Sequence, residues 1–119
     1  MSSKFTELVI DSADPGGLAR FWTAVLDYEI TERGDDFVFI EGPDDGAPGI
    51  DFVRVPDAKS VKNRVHLDLN PVDREQDEEV ERIIGLGARR VDIGQGEASW
   101  VVLADPEGNE FCVLRSRVS

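Results

Sequence analysis

The sequence repeats one pattern of residues at a spacing of 59 positions. Glu7 precedes Asp14 by seven positions, and His66 precedes Asp73 by the same seven. Since 66 minus 7 and 73 minus 14 both give 59, the two pairs belong to two copies of one unit. A stacked repeat array needs about three or more units to bury a continuous core, so two copies favour a pair of modules. We expect the functional chemistry to lie between them.

The first copy has the pattern of a strand followed by a helix. Apolar and polar residues alternate over 5–11, which predicts a half-buried strand with Glu7 and Asp11 on one face. Asp14 is then a predicted N-cap, because Pro15 suits the first helical position and apolar residues follow at helical spacing to position 26. Further strands are predicted at 37–40 and 50–55.

The second copy repeats this order. Alternation over 65–70 places His66, Asp68 and Asn70 on one strand face, and Val65, Leu67 and Leu69 on the face expected to pack against a helix. Asp73 is the predicted cap of that helix, with Gln76 completing a capping box. Gly85 and Gly87 bracket its end. Strands are predicted at 88–93, 100–104 and 110–114, the last two joined by a turn at 105–109 in which Gly108 or Asn109 has a positive φ.

Each module thus reads βαβββ, with module one at 4–55, a linker at 56–62 and module two at 63–115. A chain of 119 residues fits one domain, so we predict a single α+β domain spanning 1–119. One face of each sheet packs on its helix, and the other face is polar. Two such sheets would form a curved, open-barrel mixed sheet with the helices outside and a central cleft lined by polar side chains.

Composition excludes several partners. The formal net charge of −12 argues against binding to nucleic acid or to an anionic membrane, because phosphate binding needs clustered Lys and Arg. Neither a signal peptide nor an apolar run of about 20 residues is visible, so we expect no membrane span. Cys112 is the only cysteine, which rules out a disulfide within the chain and suits a cytoplasmic location.

Four segments of the chain form a recognisable set. They are Asp14 followed by Phe21-Trp22, Lys62-Asn63-Arg64-Val65-His66-Leu67-Asp68, Gly85-Leu86-Gly87-Ala88, and Asp105-Pro106-Glu107-Gly108-Asn109-Glu110-Phe111-Cys112. Together they resemble the vicinal oxygen chelate superfamily, and especially its short glyoxalase-like domains. This superfamily includes glyoxalases, bleomycin-resistance proteins and extradiol dioxygenases. The resemblance covers nearly the whole chain and implies the same fold of paired βαβββ modules.

The resemblance also implies a divalent metal bound by one inward residue from the first and last strands of each module. Carried over by position, these residues are Glu7, Val53, His66 and Cys112. Val53 cannot bind metal, and Cys112 stands where metal-binding members usually place a Glu. The implied metal set is therefore Glu7, His66 and Cys112, an incomplete site for Zn, Ni, Mn or Fe. Glu110 shares the strand face of Cys112 but borders the turn.

The chemistry of these side chains leaves three interpretations open. A carboxylate, an imidazole and a thiolate are all zinc ligands. Alternatively, Glu7 and His66 hydrogen-bond each other or water while Cys112 packs as a small hydrophobe, and no cofactor is bound. In the third, His66 is a metal-free catalytic base, with Glu7 or Asp68 as its carboxylate partner.

The functional hypotheses follow from the cleft. We expect it to bind a small organic molecule at a degraded metal site. The alternatives are a metal-dependent lyase or isomerase of the glyoxalase kind, with His66 and Glu7 catalytic, and a bleomycin-resistance-like protein that sequesters a drug. Many members of the superfamily are homodimers, and we expect one here. The predicted ligand-binding residues are Asp68, Cys112, Val53, Phe37, Phe39 and Trp100.

Overall fold

The computed structural model describes residues 2–43, 46–92 and 99–118. Within these ranges the chain forms two helices and two four-stranded mixed sheets, which confirms the predicted α+β class. The chain divides into two compact units, Met1–Ala58 and Lys59–Ser119, and each contains one helix and one sheet. Neither helix of the described residues has the length and apolar composition that crossing a bilayer requires.

The first unit has one helix packed against one sheet. Its elements are β1 (Glu7–Ser12), α1 (Pro15–Leu26), β2 (Glu29–Arg33), β3 (Phe37–Glu41) and β4 (Gly49–Arg54). The sheet order is β1-β4-β3-β2, in which β1 runs parallel to β4 and the other neighbours are antiparallel. The predicted βαβββ order requires a strand directly after the helix, and β2 is that strand.

Helix α1 begins and ends where the sequence predicts. The Asp14 carboxylate accepts a hydrogen bond from the Gly17 N–H at 3.2 Å, and Pro15 is the first helical residue. The helix ends at Asp27, which adopts a left-handed conformation with φ of 58°. Its apolar stripe is buried as predicted and packs against the sheet; the buried members include Leu18, Phe21, Trp22 and Val25.

The second unit repeats the arrangement with shorter strands. Its elements are β5 (Asp68–Leu69), α2 (Gln76–Leu86), β6 (Arg89–Arg90), β7 (Val101–Ala104) and β8 (Glu110–Val113). The sheet order is β5-β8-β7-β6, in which β5 runs parallel to β8 and the other neighbours are antiparallel. Strands β7 and β8 lie within one residue of their predicted bounds.

The predicted cap of the second helix is wrong. Glu75 is the N-cap of α2, and the Glu78 carboxylate accepts a hydrogen bond from its N–H at 3.1 Å. The Asp73 carboxylate instead accepts from the adjacent Arg74 Nε at 3.1 Å, and Gln76 is already the first helical residue. Asp73 and Glu75 offer two capping registers, and the later one forms because Glu75 and Glu78 make a capping box. Gly87 ends the helix as predicted, with φ of 128°.

Two strand predictions are too long. The strand predicted at 65–70 covers only Asp68–Leu69, and Val65 is 76% exposed instead of packed on a helix. The strand predicted at 88–93 covers only Arg89–Arg90, and position 93 lies outside the described residues. The turn between β7 and β8 is confirmed, with Gly108 at φ of 89°.

Candidate functional site

Three side chains with metal-binding atoms meet on the second sheet. Asp68 of β5 lies directly beside Cys112 of β8 in the parallel register, so both side chains project from the same face. His66 precedes Asp68 by two positions. The backbone N–H of Cys112 donates to the Leu67 carbonyl at 2.9 Å, which continues the pairing toward His66. The sequence therefore brings together an imidazole, a carboxylate and a thiol.

The donor atoms of these residues lie at distances that suit one metal ion. His66 Nδ1 is 3.7 Å from Asp68 Oδ1 and 3.9 Å from Cys112 Sγ, and all three donor atoms lie within 4.8 Å of one another. Ligands of a tetrahedral zinc ion at usual bond lengths are about 3.3–3.6 Å apart. The two His66 distances need shifts of a few tenths of an ångström, whereas the Asp68–Cys112 pair, up to 4.8 Å apart, needs about 1 Å of side-chain movement to close the set around zinc. Nitrogen, oxygen and sulfur are the donors that zinc accepts, so the residues present fit such an ion.

The thiol is the buried member of the group. Cys112 is 3% exposed, whereas the side chains of His66 and Asp68 are 34% and 53% exposed. Burial raises the pKa of the Cys112 thiol, and the charge and hydrogen bonding of Asp68 raise that pKa further, against an opposing effect of Lys62. The sulfur side of the group is therefore buried, whereas the imidazole and the carboxylate are accessible to solvent.

Glu110 shares the sheet face of Cys112, as predicted, but its carboxylate is already bound. Lys59 Nζ lies 2.8 Å from Oε2, and the Asn63 N–H donates to Oε1 at 2.9 Å. Burial acts to raise the pKa of Glu110, yet the hydrogen bonds and the charge of Lys59 outweigh it, so this pKa lies below its ordinary value. The Glu110 side chain is only 10% exposed. This carboxylate therefore holds the preceding segment of chain.

The first unit carries the other predicted site residues on one face of its sheet. Glu7 and Asp11 alternate with the half-buried Leu8 and Ile10 along β1, so both acidic residues project away from α1. The cross-strand register places four further predicted or acidic positions on that face. Val53 lies beside Asp11 and Phe37, and Phe39 lies beside Asp51.

The shared cleft stays a prediction. Glu7, Val53, Phe37 and Phe39 belong to the first unit, while His66, Asp68, Cys112 and Trp100 belong to the second. Trp100 is 41% exposed and just precedes β7. The catalytic pairing of His66 with Glu7 is likewise still a prediction.

Sequence reasoning missed two features of these sheets. Asp68 was expected to contact a ligand, and its place beside His66 and Cys112 makes it a candidate metal ligand as well. The two-residue spacing of His66 and Asp68 on one strand was the available signal. The second feature is Asp51, whose Oδ1 is buried and has no hydrogen-bond partner among the described residues. The sequence gives no indication that one Asp in an alternating strand will be buried without a hydrogen-bond partner.

Comparisons with known proteins agree on the fold. A family model described as a glyoxalase-like domain matches residues 7–114. No curated protein sequence matches the chain. Among solved structures, fosfomycin resistance protein FosX from Mesorhizobium loti has a TM-score of 0.71 at 15% identity, over 98% of this chain and 94% of that one.

Two further solved structures match at similar length. A glyoxalase/bleomycin resistance protein/dioxygenase family enzyme from Burkholderia phytofirmans has a TM-score of 0.73 at 21% identity, over 98% of this chain and 100% of that one. A mutant FosX from Listeria monocytogenes, complexed with Mn(II) and 1S,2S-dihydroxypropylphosphonic acid, has a TM-score of 0.72 at 19% identity, over 96% and 90%. At these identities the likeness is one of fold.

Proposed function

We propose that this chain, which belongs to the glyoxalase-like domain family, binds a small organic molecule through a divalent metal ion. The residues that would hold the ion are His66, Asp68 and Cys112. The single observation that carries this proposal is the approach of three unlike donor atoms to within 4.8 Å of one another. The predicted resemblance to the vicinal oxygen chelate superfamily is confirmed by the family match and by the structural neighbours.

Zinc is the metal that the donor set favours. The FosX of Listeria monocytogenes is complexed with Mn(II), but manganese prefers carboxylate, carbonyl and water oxygens, whereas a thiolate favours zinc. Cys112 supplies that sulfur here, and His66 supplies a nitrogen. The Cys112 thiol releases a proton when zinc binds, because the thiolate is the form that coordinates metal.

The three residues leave room for a ligand. A zinc ion with three protein ligands keeps a fourth position for water or for a ligand oxygen, where it polarises that oxygen as a Lewis acid. Asp68 and His66 form the exposed side of the group, so a small molecule reaches it from solution. The buried sulfur of Cys112 lies on the opposite side of the group, away from solvent. This division favours a site that binds oxygen-bearing molecules, and a lyase or isomerase reaction of the glyoxalase kind is the alternative to binding alone.

Zinc titration of metal-free protein tests the proposal. We expect one equivalent to bind to the wild type and none to the His66→Ala variant. At a free zinc concentration of 100 times Kd the stabilisation is about 2.7 kcal/mol, which raises the Tm by about 10 °C. Zinc-loaded protein should then bind acetohydroxamate, a small chelator with two adjacent oxygens. Absence of zinc binding by the wild type would overturn the proposal.

The acidic character of the chain supports a second candidate function, the sequestration of a cationic small molecule without a reaction. The net charge is −12, and Glu7, Asp11 and Asp51 share one face of the first sheet. Calorimetric titration with bleomycin-type and other cationic antibiotics tests it in the absence of metal. Saturable heat supports sequestration, and flat traces across the panel remove it.

The homodimer and the cytoplasmic location are part of the same proposal. Sedimentation at high protein concentration checks the first, since a monomer throughout would contradict it. Fractionation of cells that express the full natural gene checks the second. Neither property is needed for the three-residue metal group, which lies wholly in the second unit.

A further inference from the structure

The turn after β7 binds the chain segment that precedes His66. Asn63 donates through its side-chain amide to Asn109 Oδ1 at 3.0 Å and through its backbone N–H to Glu110 Oε1 at 2.9 Å. Lys59 completes the set with an ion pair of 2.8 Å to Glu110. These contacts between residues 59–63 and Asn109–Glu110 are called the Glu110 network below.

The turn side of the Glu110 network is held by hydrogen bonds to Asp105. Asp105 is 2% exposed, and its Oδ1 accepts hydrogen bonds from the backbone N–H groups of Glu107 and Asn109, each at 2.9 Å. The Asn109 side-chain amide donates to Asp105 Oδ2, also at 2.9 Å. With its amide nitrogen fixed by Asp105, Asn109 must present its oxygen to Asn63. A buried carboxylate thus sets the direction in which the turn binds the segment before His66.

His66 lies between two attachments to a single strand. On one side, Glu110 of β8 binds Asn63 through its side chain. On the other, Cys112 of β8 donates its backbone N–H to the Leu67 carbonyl at 2.9 Å. Between these points, Arg64, Val65 and His66 are all exposed and lie outside the regular strand. Without the first attachment, only the Leu67 side would hold the imidazole beside Cys112.

We propose that Glu110 and Asn63 are positioning residues, which hold the segment before His66 so that its imidazole meets Cys112 and Asp68. The main test of this inference is the zinc affinity of variants, and it therefore rests on the proposed metal function. The Glu110 carboxylate binds Lys59 and Asn63 and acts through the chain from Asn63 to His66. Removal of a group that orients a metal ligand typically lowers metal affinity 10- to 100-fold.

Zinc affinity of three variants tests the assignment. Glu110→Ala removes both acceptors and should weaken zinc binding about tenfold. Glu110→Gln keeps an acceptor for the Asn63 N–H and should retain most of the affinity. The control is Ile83→Val, which shortens a fully buried side chain of α2 and destabilises the same unit without touching the network. Its zinc affinity should match that of the wild type.

A metal-free measurement separates this inference from the proposed function. The nuclear Overhauser contact between the His66 ring and the Cys112 Cβ protons should be present in the wild type and in Ile83→Val. It should be lost in Glu110→Ala and reduced in Asn63→Ala, which breaks only the bond to Asn109. If the wild type fails to bind zinc while this pattern holds, the metal function is wrong and the positioning stands. If Glu110→Ala keeps both the contact and wild-type zinc affinity, the positioning is overturned.

Discussion

Cys112 and His66 are 46 positions apart in the sequence, yet Sγ of one lies 3.9 Å from Nδ1 of the other. Their approach results from the parallel pairing of β5 with β8, which also sets Asp68 directly beside Cys112. Each residue alone has an ordinary explanation, since a buried thiol is a small hydrophobe and an exposed histidine is common. The three together form a donor set, and the predictions below separate its members.

Removal of the sulfur should abolish tight zinc binding. Cys112→Ala eliminates the one soft ligand and leaves a small apolar side chain in a buried position, so the fold should persist. We expect at least a 100-fold loss of zinc affinity, measured by competition with a chromophoric chelator. The matched control is Val113→Ala, on the opposite face of the same strand and 0% exposed. It should lower stability and leave the zinc stoichiometry at one.

The carboxylate ligand can be assigned by a pair of isosteric variants. Asp68→Asn should weaken zinc binding markedly, because an amide oxygen is a much poorer zinc ligand than a carboxylate. Glu7→Gln should leave the affinity unchanged if the three-residue group of the second unit suffices. The same competition assay measures both. A loss in Glu7→Gln with none in Asp68→Asn would restore Glu7 as the ligand, as its position in the sequence predicts.

The first module shows how far local patterns reach. Asp14-Pro15 determines where α1 begins, because a capping carboxylate and a fixed φ act within one turn of chain. The predicted bounds of α1 therefore match the structure.

The second module shows where local patterns fail. The alternation at 65–70 is that of a strand, but the regular strand covers only Asp68–Leu69, and Asn63 before it is bound by the side chains of Asn109 and Glu110. Contacts between segments so far apart leave no mark on local periodicity. The same holds for the group of three donor residues, in which Asp68 was predicted to contact a ligand or to be the carboxylate partner of His66. Its role depends on the β5–β8 register, which composition and spacing do not specify.

Stability in acid should depend on Glu110. Because the pKa of this carboxyl is lowered in the folded protein, its stabilising effect is present above the unfolded value near 4.5 and is lost as pH falls through the folded value. At pH 7, Glu110→Gln should be less stable by about 1–2 kcal/mol. Urea unfolding from pH 7 to pH 3 should show the wild type losing more stability than the variant, so that the two curves converge.

The control for this experiment is Glu81→Gln on the exposed surface of α2, where the Glu81 side chain is 70% exposed beside Arg90. At pH 7 its stability should match the wild type within about 0.5 kcal/mol. A constant gap between wild type and Glu110→Gln across the whole pH range would contradict the role assigned to Glu110.

The Asp51 carboxylate should lower the free energy of unfolding more than an exposed carboxylate on the same sheet face does. Its buried Oδ1 lacks a hydrogen-bond partner among the described residues, and such an atom costs about 1–3 kcal/mol. Asp51→Leu should therefore raise the free energy of unfolding, measured by urea titration. Asp11→Leu, at an exposed position of the same sheet face, should change it by about 0.5 kcal/mol or less. A destabilised Asp51→Leu variant would show that the carboxylate has a partner in solution.

X-ray absorption at the zinc edge of the loaded wild-type protein tests the metal centre most directly, because the spectrum reports the ligand atoms themselves. We predict one sulfur neighbour at about 2.3 Å, with nitrogen and oxygen neighbours at about 2.0–2.1 Å. The sulfur signal should vanish in any zinc retained by Cys112→Ala. A wild-type spectrum with nitrogen and oxygen neighbours alone would contradict a site built from His66, Asp68 and Cys112.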